Sequence, residues 1–329
     1  MKAAVLNEFG SVEKFEILDV PTPKPGFGEV LVKVMATSVN PLDFQVRRGD
    51  YQSELELPVI TGHDVSGVIV EIGVGVKNFK AGDEVYYTPE IFKGQGSYAE
   101  YHVADEAIIG IKPKNVSHLE AATFPLAAGT AWEMLYTRAQ LKINQTILIH
   151  GGAGGVGIPT IQLAKTIGAT VFTTARTVHH QMLKGFGADY IIDYTSENYI
   201  EEILKLTGNK GVDVVIDTLG GNTLSDSGKV LSQMGQVVTL VDIEKPQNLI
   251  HAWGKNATYH FVFTRQSRNK LDELTKLIES GKLKPVVGKV FPLSEIGQAH
   301  SLLEFRKGDK NFYGKIAIQV EDESNTEQK

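Results

Sequence analysis

The sequence predicts an α/β protein in which a doubly wound parallel sheet is joined to a second, mostly β domain. Three observations support this fold class. Short runs rich in Val and Ile, such as residues 29–34 and 65–70, fill the first part of the chain and are separated by Gly and Pro. Apolar strands then alternate with helical patterns from about residue 146. A glycine-rich turn joins the first of those strands to the helix after it.

The alternating region contains six apolar strands that begin about 20–24 residues apart, with helical patterns between the earlier ones. Strands that alternate with helices at this interval predict βαβ units and a parallel sheet. Six of them complete a doubly wound sheet of the dinucleotide-binding type. The predicted strands begin near Thr146, Thr170, Tyr190, Val212, Gln236 and Tyr259.

The segments beside this region set the predicted domain boundaries. Ser117 and Glu120 form a capping box ahead of an Ala-rich helical stretch that runs through Trp132. The elements after Phe263 would break the alternation of the sheet, so we expect the chain to return to the first domain. These later elements are a helix ended by Gly281, an apolar segment over residues 286–293, a helix from about Ser294 and a strand over residues 315–320.

Length and composition restrict the class of protein. A chain of 329 residues is expected to form two domains. The absence of cysteine excludes disulfides, thiolate metal ligands and a cysteine nucleophile. A net charge of −6 gives no indication of a nucleic-acid partner. The sequence shows no apolar run long enough to span a membrane and no signal peptide, so we expect a cytoplasmic protein without a membrane partner.

The glycine-rich turn is the predicted cofactor site. Gly152, Gly154 and Gly157 fit the pattern G-x-G-x-x-G between a strand and a helix. One glycine allows the tight turn, the next lets the backbone approach a pyrophosphate, and the third lets helix and strand pack closely. The helix N-terminus offers N–H groups and a positive dipole end to the anion. The predicted cofactor-binding residues here are Gly152, Ala153, Gly154, Gly155, Val156 and Gly157.

The residues after the second strand favour NADPH over NADH. NAD-binding proteins usually place an acidic residue there to bind the ribose 2′-hydroxyl. In this chain Arg176 follows the strand, and no Asp or Glu occurs over residues 151–188. A guanidinium suits a 2′-phosphate, which a carboxylate would repel. The alternative is that Arg176 is an ordinary solvated surface residue.

Taken together, the motifs resemble those of the medium-chain dehydrogenase/reductase superfamily, specifically its zinc-free quinone oxidoreductase (zeta-crystallin-like) branch. The resemblance covers residues 1–320 and implies an N-terminal GroES-like catalytic domain and a Rossmann domain. The expected division is residues 1–122 as the GroES-like domain, 123–265 as the Rossmann domain, and 266–329 as the return to the first domain with a flexible acidic tail. The motifs are SVNPLD at 38–43, GHDVSG at 62–67, AGTAW at 128–132, the glycine run from 151, GAD at 187–189 with IDY at 192–194, and GKLKPV at 281–286.

The resemblance also indicates that no metal is bound. In zinc-dependent relatives a Cys opens the first metal motif, where this chain has Asn40, and a His matches His63. The relatives' later thiolate ligand and structural Cys lobe have no counterpart here, so an ordinary zinc site cannot be assembled. His63 and Asp64 are then a relic or a local hydrogen-bonded pair. The alternative is that Asp43, His63 and Asp64 gather around a metal.

Four residues acquire roles from the resemblance. Asn40, taken as both catalytic and cofactor-binding, matches a residue near the nicotinamide. Thr130 matches one that hydrogen-bonds the carboxamide side, and Tyr194 matches one beside the adenosine phosphate. The alternatives are a turn residue before Pro41 for Asn40, a helix cap for Thr130 and half-buried packing for Tyr194. Tyr51 matches a tyrosine of the substrate cleft and is the candidate proton donor, with water as its rival.

The sixth predicted strand has two expected roles. Phe261 and Phe263 in this strand, and Val241 at the end of the fifth, match segments that line the nicotinamide pocket, although the two Phe residues also fit a core strand. This strand would lie at the edge of the sheet, and an apolar edge normally needs a cover. Relatives pair two Rossmann sheets across a twofold axis, so a homodimer is expected.

The expected absence of zinc restricts the class of substrate. Zinc in an alcohol dehydrogenase polarises the carbonyl group, and without it a substrate must already be activated. The expected reaction is hydride transfer from NADPH to a small-molecule quinone or α,β-unsaturated carbonyl, whose developing negative charge side-chain donors stabilise. Two alternatives stay open: an enal or enone reductase rather than a quinone reductase, or a non-catalytic NADPH-binding structural protein.

Overall fold

The computed structural model describes residues 1–93, 95–240, 250–306, 309 and 311–320, and these form two compact units. The first unit comprises Met1–Ala127, Arg265–Gly281 and Pro285–Lys329 so far as those ranges are described. The second unit comprises Ala128–Thr264 and Lys282–Lys284, again so far as described. The functional domain boundaries at residues 122 and 265 stay a proposal. The predicted disorder of residues 321–329 lies outside the described residues.

The described residues form strands and helices in the following order along the chain. The strands are β1 (Lys2–Leu6), β2 (Phe15–Asp19), β3 (Glu29–Val39), β4 (Val59–Ile60), β5 (Val65–Ile72), β6 (Glu84–Tyr87), β7 (Tyr101–Asp105), β8 (Gly110–Ile111), β9 (Thr146–Ile149), β10 (Thr170–Thr174), β11 (Tyr190–Ile192), β12 (Val212–Asp217), β13 (Leu231–Thr239), β14 (Thr258–Phe261), β15 (Val287–Pro292) and β16 (Lys315–Gln319). The α-helices are α1 (Pro41–Arg48), α2 (His118–Ala121), α3 (Pro125–Trp132), α4 (Gly157–Ile167), α5 (His180–Gly185), α6 (Tyr199–Leu206), α7 (Asn222–Val230), α8 (Ile250–Trp253), α9 (Arg268–Glu279) and α10 (Ile296–Phe305). Short 3₁₀ turns lie at Val12–Lys14, Gln52–Glu54, Glu106–Ile108, Thr177–His179 and Leu293–Glu295, and a π-helical turn at Glu133–Arg138.

The first unit is mostly β structure. Strands β2, β1 and β4 form a small sheet, and a seven-stranded sheet runs in the order β15-β16-β3-β5-β6-β8, with β7 also paired to β3. Strand β16 is antiparallel to β3, with Ala317 opposite Ser38. Strands β15 and β16, late in the chain, therefore join the sheet that β3 and β5–β8 of the N-terminal part form. The apolar core of this unit includes the buried side chains of Tyr98, Ile316 and Ile318.

The second unit confirms the doubly wound sheet. Its six parallel strands run in the order β11-β10-β9-β12-β13-β14. The direction of winding reverses between β9 and β12, and in such sheets a ligand crevice opens beyond the carboxyl ends of the strands at this point. Residues just after β9 and its neighbours are therefore placed at the site that the fold provides.

Two predicted element bounds are corrected. Strand β13 begins at Leu231 rather than near Gln236, because Leu231 pairs with Val212 ahead of a register shift, after which Gln236 pairs with Val214. The Ala-rich stretch after residue 117 is two α-helices, since Pro125 cannot donate a backbone hydrogen bond and starts the second one.

The helices predicted before and after the parallel-sheet region of the sequence are confirmed. The Ser117 hydroxyl accepts from the backbone N–H of Glu120 at 3.2 Å, and the Glu120 carboxylate accepts from the N–H of Ser117 at 2.9 Å. Helix α9, predicted ahead of Gly281, buries Leu271, Leu274 and Ile278, which lie at helical spacing, while Leu277 is half-buried. Among the described residues, no helix has both the length and the apolar character required to cross a membrane.

Candidate functional site

The glycine-rich turn between β9 and α4 accepts no side chain at two of its positions. A Cβ atom at Gly152 would lie 2.1 Å from Thr173 Oγ1, and one at Gly157 would lie 2.2 Å from the carbonyl oxygen of Gly151. Gly151 itself has a φ of +71°, which favours glycine. At Gly154, apart from its chain neighbours, the described residues place just the Gly151 oxygen within 4 Å of such a Cβ, at 3.2 Å, so this side of the backbone is open. The turn is tightly packed toward the sheet and accessible at Gly154, as a phosphate cradle requires.

Helix α4 provides the electrostatic half of a pyrophosphate site. It runs for 11 residues from Gly157 and has no acidic residue in its first turn. Its N-terminus therefore directs the positive end of the helix dipole toward the glycine turn without a carboxylate to oppose an anion. The residues present fit the dinucleotide that the sequence predicts.

Arg176 and Tyr194 lie together beyond the carboxyl ends of β10 and β11. Thr174 is in register with Ile192, so the residues two positions further along each chain segment are neighbours. The Arg176 Nε donates to the Tyr194 hydroxyl at 3.4 Å. Tyr194 is 52% exposed, which argues against the packing alternative. The two residues predicted to contact the adenosine phosphates therefore share one surface of the second unit.

Asp193 precedes Tyr194, and its carboxylate accepts hydrogen bonds from residues on both sides of it. The backbone N–H groups of Thr177 and Thr195 donate to its carboxylate at 2.8 Å and 2.9 Å, and both hydroxyls also donate to it. These hydrogen bonds, led by that of the Thr177 hydroxyl, hold the pKa of Asp193 far below its usual range. The lowered pKa keeps this carboxylate ionised beside Tyr194, and four donors of the chain already bond to its oxygens.

Three further predicted residues belong to the second unit. Thr130 is buried in the interior of α3, so the helix-cap alternative is wrong. Phe261 ends β14 at 62% exposure, and Phe263 follows the strand at 55%, so neither is a core side chain. Exposure of both rings is compatible with contact to a ligand. Val241 lies outside the described residues.

Asn40 begins α1 in the first unit and is 3% exposed. Its Nδ2 donates to Asp64 Oδ2 at 2.7 Å, and its Oδ1 accepts from Lys315 Nζ at 2.5 Å. Its backbone N–H donates to Asp43 Oδ2 at 2.6 Å. Asn40 is therefore more than a turn residue, because Asp64 and Lys315, both buried, hold the nitrogen and the oxygen of its side-chain amide.

Asp64 is the centre of this buried arrangement, which we call the Asp64 cluster: Ser38, Asn40, Asp64 and Lys315. The Ser38 hydroxyl donates to Asp64 Oδ2 at 2.5 Å, and the Leu126 N–H donates to Oδ1 at 2.7 Å. Lys315 Nζ lies 3.6 Å from Oδ2 and donates to the carbonyl oxygen of Val39 at 3.0 Å. Burial raises the pKa of Asp64 and lowers that of Lys315, and each charge opposes the shift of the other. No sequence pattern indicates this partnership.

His63 pairs with Asp43, so the predicted pair of His63 with Asp64 is wrong. Its Nδ1 lies 2.5 Å from Asp43 Oδ1. Burial pushes the pKa of Asp43 upward, but the hydrogen bond and charge interaction with His63 outweigh it, and the pKa is lowered. In the part of the chain that the structure describes, no three His, Asp or Glu side chains are grouped to hold a metal ion. With no cysteine in the sequence, the donor set does not fit a zinc site.

Tyr51 lies between α1 and the 3₁₀ turn at Gln52–Glu54, and its ring centroid is 4.7 Å from that of Phe92. Partial burial, with the charge of Asp50 adding to it, raises the pKa of Tyr51. The phenol is therefore protonated at neutral pH, as a proton donor must be. Phe92 also lines a cavity of the first unit that contains Thr61 and His63.

Comparison with known proteins finds dehydrogenase domains and oxidoreductases that are similar to this chain. The alcohol dehydrogenase GroES-like domain matches residues 26–114, and the zinc-binding dehydrogenase domain matches residues 186–316. The chain is 38% identical to the chloroplastic NADPH-dependent alkenal/one oxidoreductase of Arabidopsis thaliana, covering 92% of this chain and 76% of that protein. It is 31% identical to the quinone oxidoreductase of Rattus norvegicus, covering 91% and 93%. The solved quinone oxidoreductase of Coxiella burnetii superimposes with a TM-score of 0.88 at 34% identity, covering 98% and 99%.

Proposed function

The chain belongs to the medium-chain dehydrogenase/reductase family, beside its quinone and alkenal/one oxidoreductases, and from this premise we propose that it reduces quinones or α,β-unsaturated carbonyls with NADPH. The observation that carries the proposal is the turn at Gly152 and Gly157, where only glycine fits, in a chain similar along nearly its whole length to such reductases. Oxidation of NADPH in the presence of these acceptors tests it.

The proposed reaction consumes one hydride and one proton. NADPH, when bound, supplies the hydride. An enone takes it at its β-carbon, the electron pair of the C=C bond shifts toward the carbonyl oxygen, and a proton then adds at the α-carbon to give the saturated ketone and NADP⁺. A quinone likewise gains a hydride and a proton to become a hydroquinone. The protein binds and orients the acceptor, excludes water and stabilises the negative charge that develops on oxygen.

Residues of the glycine turn and of the neighbouring strands are proposed to hold NADPH. The turn from Gly152 to Gly157 and the N-terminus of α4 would bind the pyrophosphate, and Arg176 with Tyr194 would bind the adenosine phosphates. Toward the nicotinamide we propose Thr130, Val241, Phe261 and Phe263. Gly152 packs against the Thr173 side chain and Gly157 against the Gly151 carbonyl oxygen, so the turn has no room for side chains on the face toward the sheet.

Two residues of the first unit are proposed to act on the nicotinamide and the acceptor. Asn40 donates one of its two amide hydrogens to Asp64, which leaves the second for a ligand. Tyr51 has a protonated phenol and packs on a residue that lines a cavity. We therefore retain Asn40 as the positioned amide and Tyr51 as the candidate proton donor.

Replacing Arg176 by Ala should remove the preference for NADPH. We expect the native protein to bind NADPH at least about tenfold more tightly than NADH, a difference of about 1.4 kcal/mol. The variant should lose this factor for NADPH and bind NADH as before, because only NADPH carries the 2′-phosphate. Lys184→Ala is the control, since it removes an equal charge from an exposed position of the same unit. Titration calorimetry with both cofactors measures the effect, and equal affinities in the native protein would refute it.

We further propose a homodimer. Strand β14 is the last strand in the order of the parallel sheet, and Trp253 and Phe261 nearby in sequence are 82% and 62% exposed. Pairing of such edges across a twofold axis would cover them. Light scattering at micromolar concentration should give about 72 kDa, twice the chain mass of 36.0 kDa. A mass near that of one chain would contradict this. The cytoplasmic location also stays a proposal, which cell fractionation can test.

A further inference from the structure

The cavity beside His63 in the first unit has apolar walls and two buried polar side chains. Val46, Leu55 and Val59 supply apolar wall, and Thr61 and His63 line the same cavity. Thr61 is 2% exposed and His63 is 6% exposed. Such a lining suits a small ligand that is largely carbon skeleton and carries a polar group at one end.

Thr61 has a hydroxyl that the fold does not use. Its Oγ1 is buried and has no hydrogen-bond partner among the described residues. Two other buried threonines of this unit are satisfied: the Thr37 hydroxyl bonds to that of Ser97 at 2.7 Å, and the Thr123 hydroxyl donates to the carbonyl oxygen of Glu120 at 2.7 Å. Burying an unpaired hydroxyl opposes folding, so its position calls for a partner from outside the chain.

His63 has a fixed orientation in this cavity. Asp43 accepts from its Nδ1 and also from the backbone N–H of Asn40, so both carboxylate oxygens are engaged. A carboxylate only accepts hydrogen bonds, which places the ring hydrogen of neutral His63 on Nδ1 and leaves Nε2 as an acceptor. His63 therefore cannot supply the hydrogen bond that a ligand oxygen would need while it is neutral. Thr61 can.

The charged groups at the cavity favour a neutral ligand. Glu90 and Lys93 both line it, and their side chains form an exposed ion pair at 3.5 Å. Because these charges offset each other, the cavity provides no excess charge to recognise a carboxylate or a phosphate. Phe92 connects the cavity to Tyr51 through the contact of their rings.

We propose that this cavity binds the carbonyl end of the acceptor and that Thr61 Oγ1 donates a hydrogen bond to the acceptor's oxygen. The inference rests on the proposed function and adds the residue that recognises the substrate. As the hydride adds to the β-carbon, the electron pair of the C=C bond moves toward this oxygen, and the hydrogen bond strengthens with the charge. Thr61 keeps its proton, and the α-carbon receives its proton from Tyr51 or water.

Thr61→Val, which replaces the hydroxyl by a methyl group, tests the proposal. We expect kcat/KM for an enone such as 3-buten-2-one to fall by about 10- to 100-fold, at and below the lower end of the range for loss of an oxyanion-hole donor. The Kd for NADPH should not change, and the melting temperature should stay equal or rise because an unpaired hydroxyl is removed. Thr61→Ser, which retains the hydroxyl, should keep the rate within about threefold of native. Thr61→Ala carries the same expectation for the rate as Thr61→Val if the valine variant does not fold.

Thr123→Val is the matched control, since it deletes a hydroxyl that is already bonded within the unit. It should lower the melting temperature and leave kcat/KM unchanged. If the native protein reduces enones or quinones and Thr61→Val or Thr61→Ala reduces them equally well, the inference is wrong and the proposed function stands. If the native protein reduces none of them, both are wrong. A loss of melting temperature in Thr61→Val equal to that of the control would show a merely structural hydroxyl and also overturn the inference.

Discussion

Replacing Lys315 by Met should destabilise the first unit by about 3–5 kcal/mol, the usual cost of leaving one partner of a buried ion pair alone. Lys315 Nζ lies 3.6 Å from a carboxylate oxygen of Asp64, whose side chain is fully buried. The ammonium also donates to Asn40 Oδ1 and to the carbonyl oxygen of Val39, so three acceptors would lose their donor. Calorimetric unfolding at pH 7 measures the effect.

The pH dependence of this variant has a definite sign. Burial already raises the pKa of Asp64, and loss of Lys315 removes the largest influence that lowers it. A carboxyl whose pKa is raised by folding contributes stability at low pH and loses it as the pH rises through the folded pKa. The deficit of Lys315→Met relative to the native protein should therefore be smaller at pH 5 than at pH 8.

Two controls separate the charge pair from general damage. Lys2→Met removes an exposed lysine from a strand of the same unit and should change stability by less than about 0.5 kcal/mol. The double variant Asp64→Asn with Lys315→Met should be more stable than the sum of the single effects, because it leaves no charge unpaired. Additive effects, or a Lys315→Met variant as stable as Lys2→Met, would show that the ammonium does not support Asp64.

Gly157→Ala should abolish useful binding of NADPH, with a loss of at least about 100-fold, or roughly 2.8 kcal/mol. The added Cβ would lie 2.2 Å from the Gly151 oxygen and 2.8 Å from Gly152 Cα. Both are backbone atoms, so relief requires a shift of the turn that would cradle the pyrophosphate. Titration calorimetry with NADPH gives the affinity, and circular dichroism reports whether the second unit stays folded.

Gly185→Ala is the control for this change. It adds the same methyl group to the same unit, at a helical position where nothing lies within 4 Å of the new Cβ. It should bind NADPH like the native protein. A Gly157→Ala variant with native affinity would remove the glycine turn from the proposed cofactor site.

The parallel sheet and its ligand edge could be predicted because both depend on local patterns. The strand spacing and the glycine turn predict the parallel sheet of the second unit. The register of β10 and β11 then brings Arg176 beside Tyr194. The bounds of β13 could not be predicted, since a register shift depends on the neighbouring strand. The exposure of Phe261 and Phe263 could not be predicted from the apolar pattern of the segment, because it depends on the place of β14 as the last strand in the sheet order.

The interior of the first unit could not be predicted from sequence patterns. Lys315 is 275 positions from Asn40, and no local signal connects them. His63 and Asp64 are adjacent in the irregular segment between β4 and β5, yet they bond to different partners, Asp43 and Asn40, which the sequence does not reveal. Whether the Thr61 hydroxyl has a hydrogen-bond partner depends on the folded structure around it, so the sequence could not predict that it is unpaired.

The central claim, hydride transfer from NADPH to an activated carbonyl compound, is tested most directly by steady-state oxidation of NADPH at 340 nm by the purified protein. The acceptors are an enone, a quinone and, as the control, a saturated ketone, each with and without a metal chelator. We expect oxidation with the enone or the quinone, none with the saturated ketone, and the same rates with the chelator. Tight binding of NADPH with no oxidation by any acceptor would contradict the account and indicate a non-catalytic NADPH-binding protein.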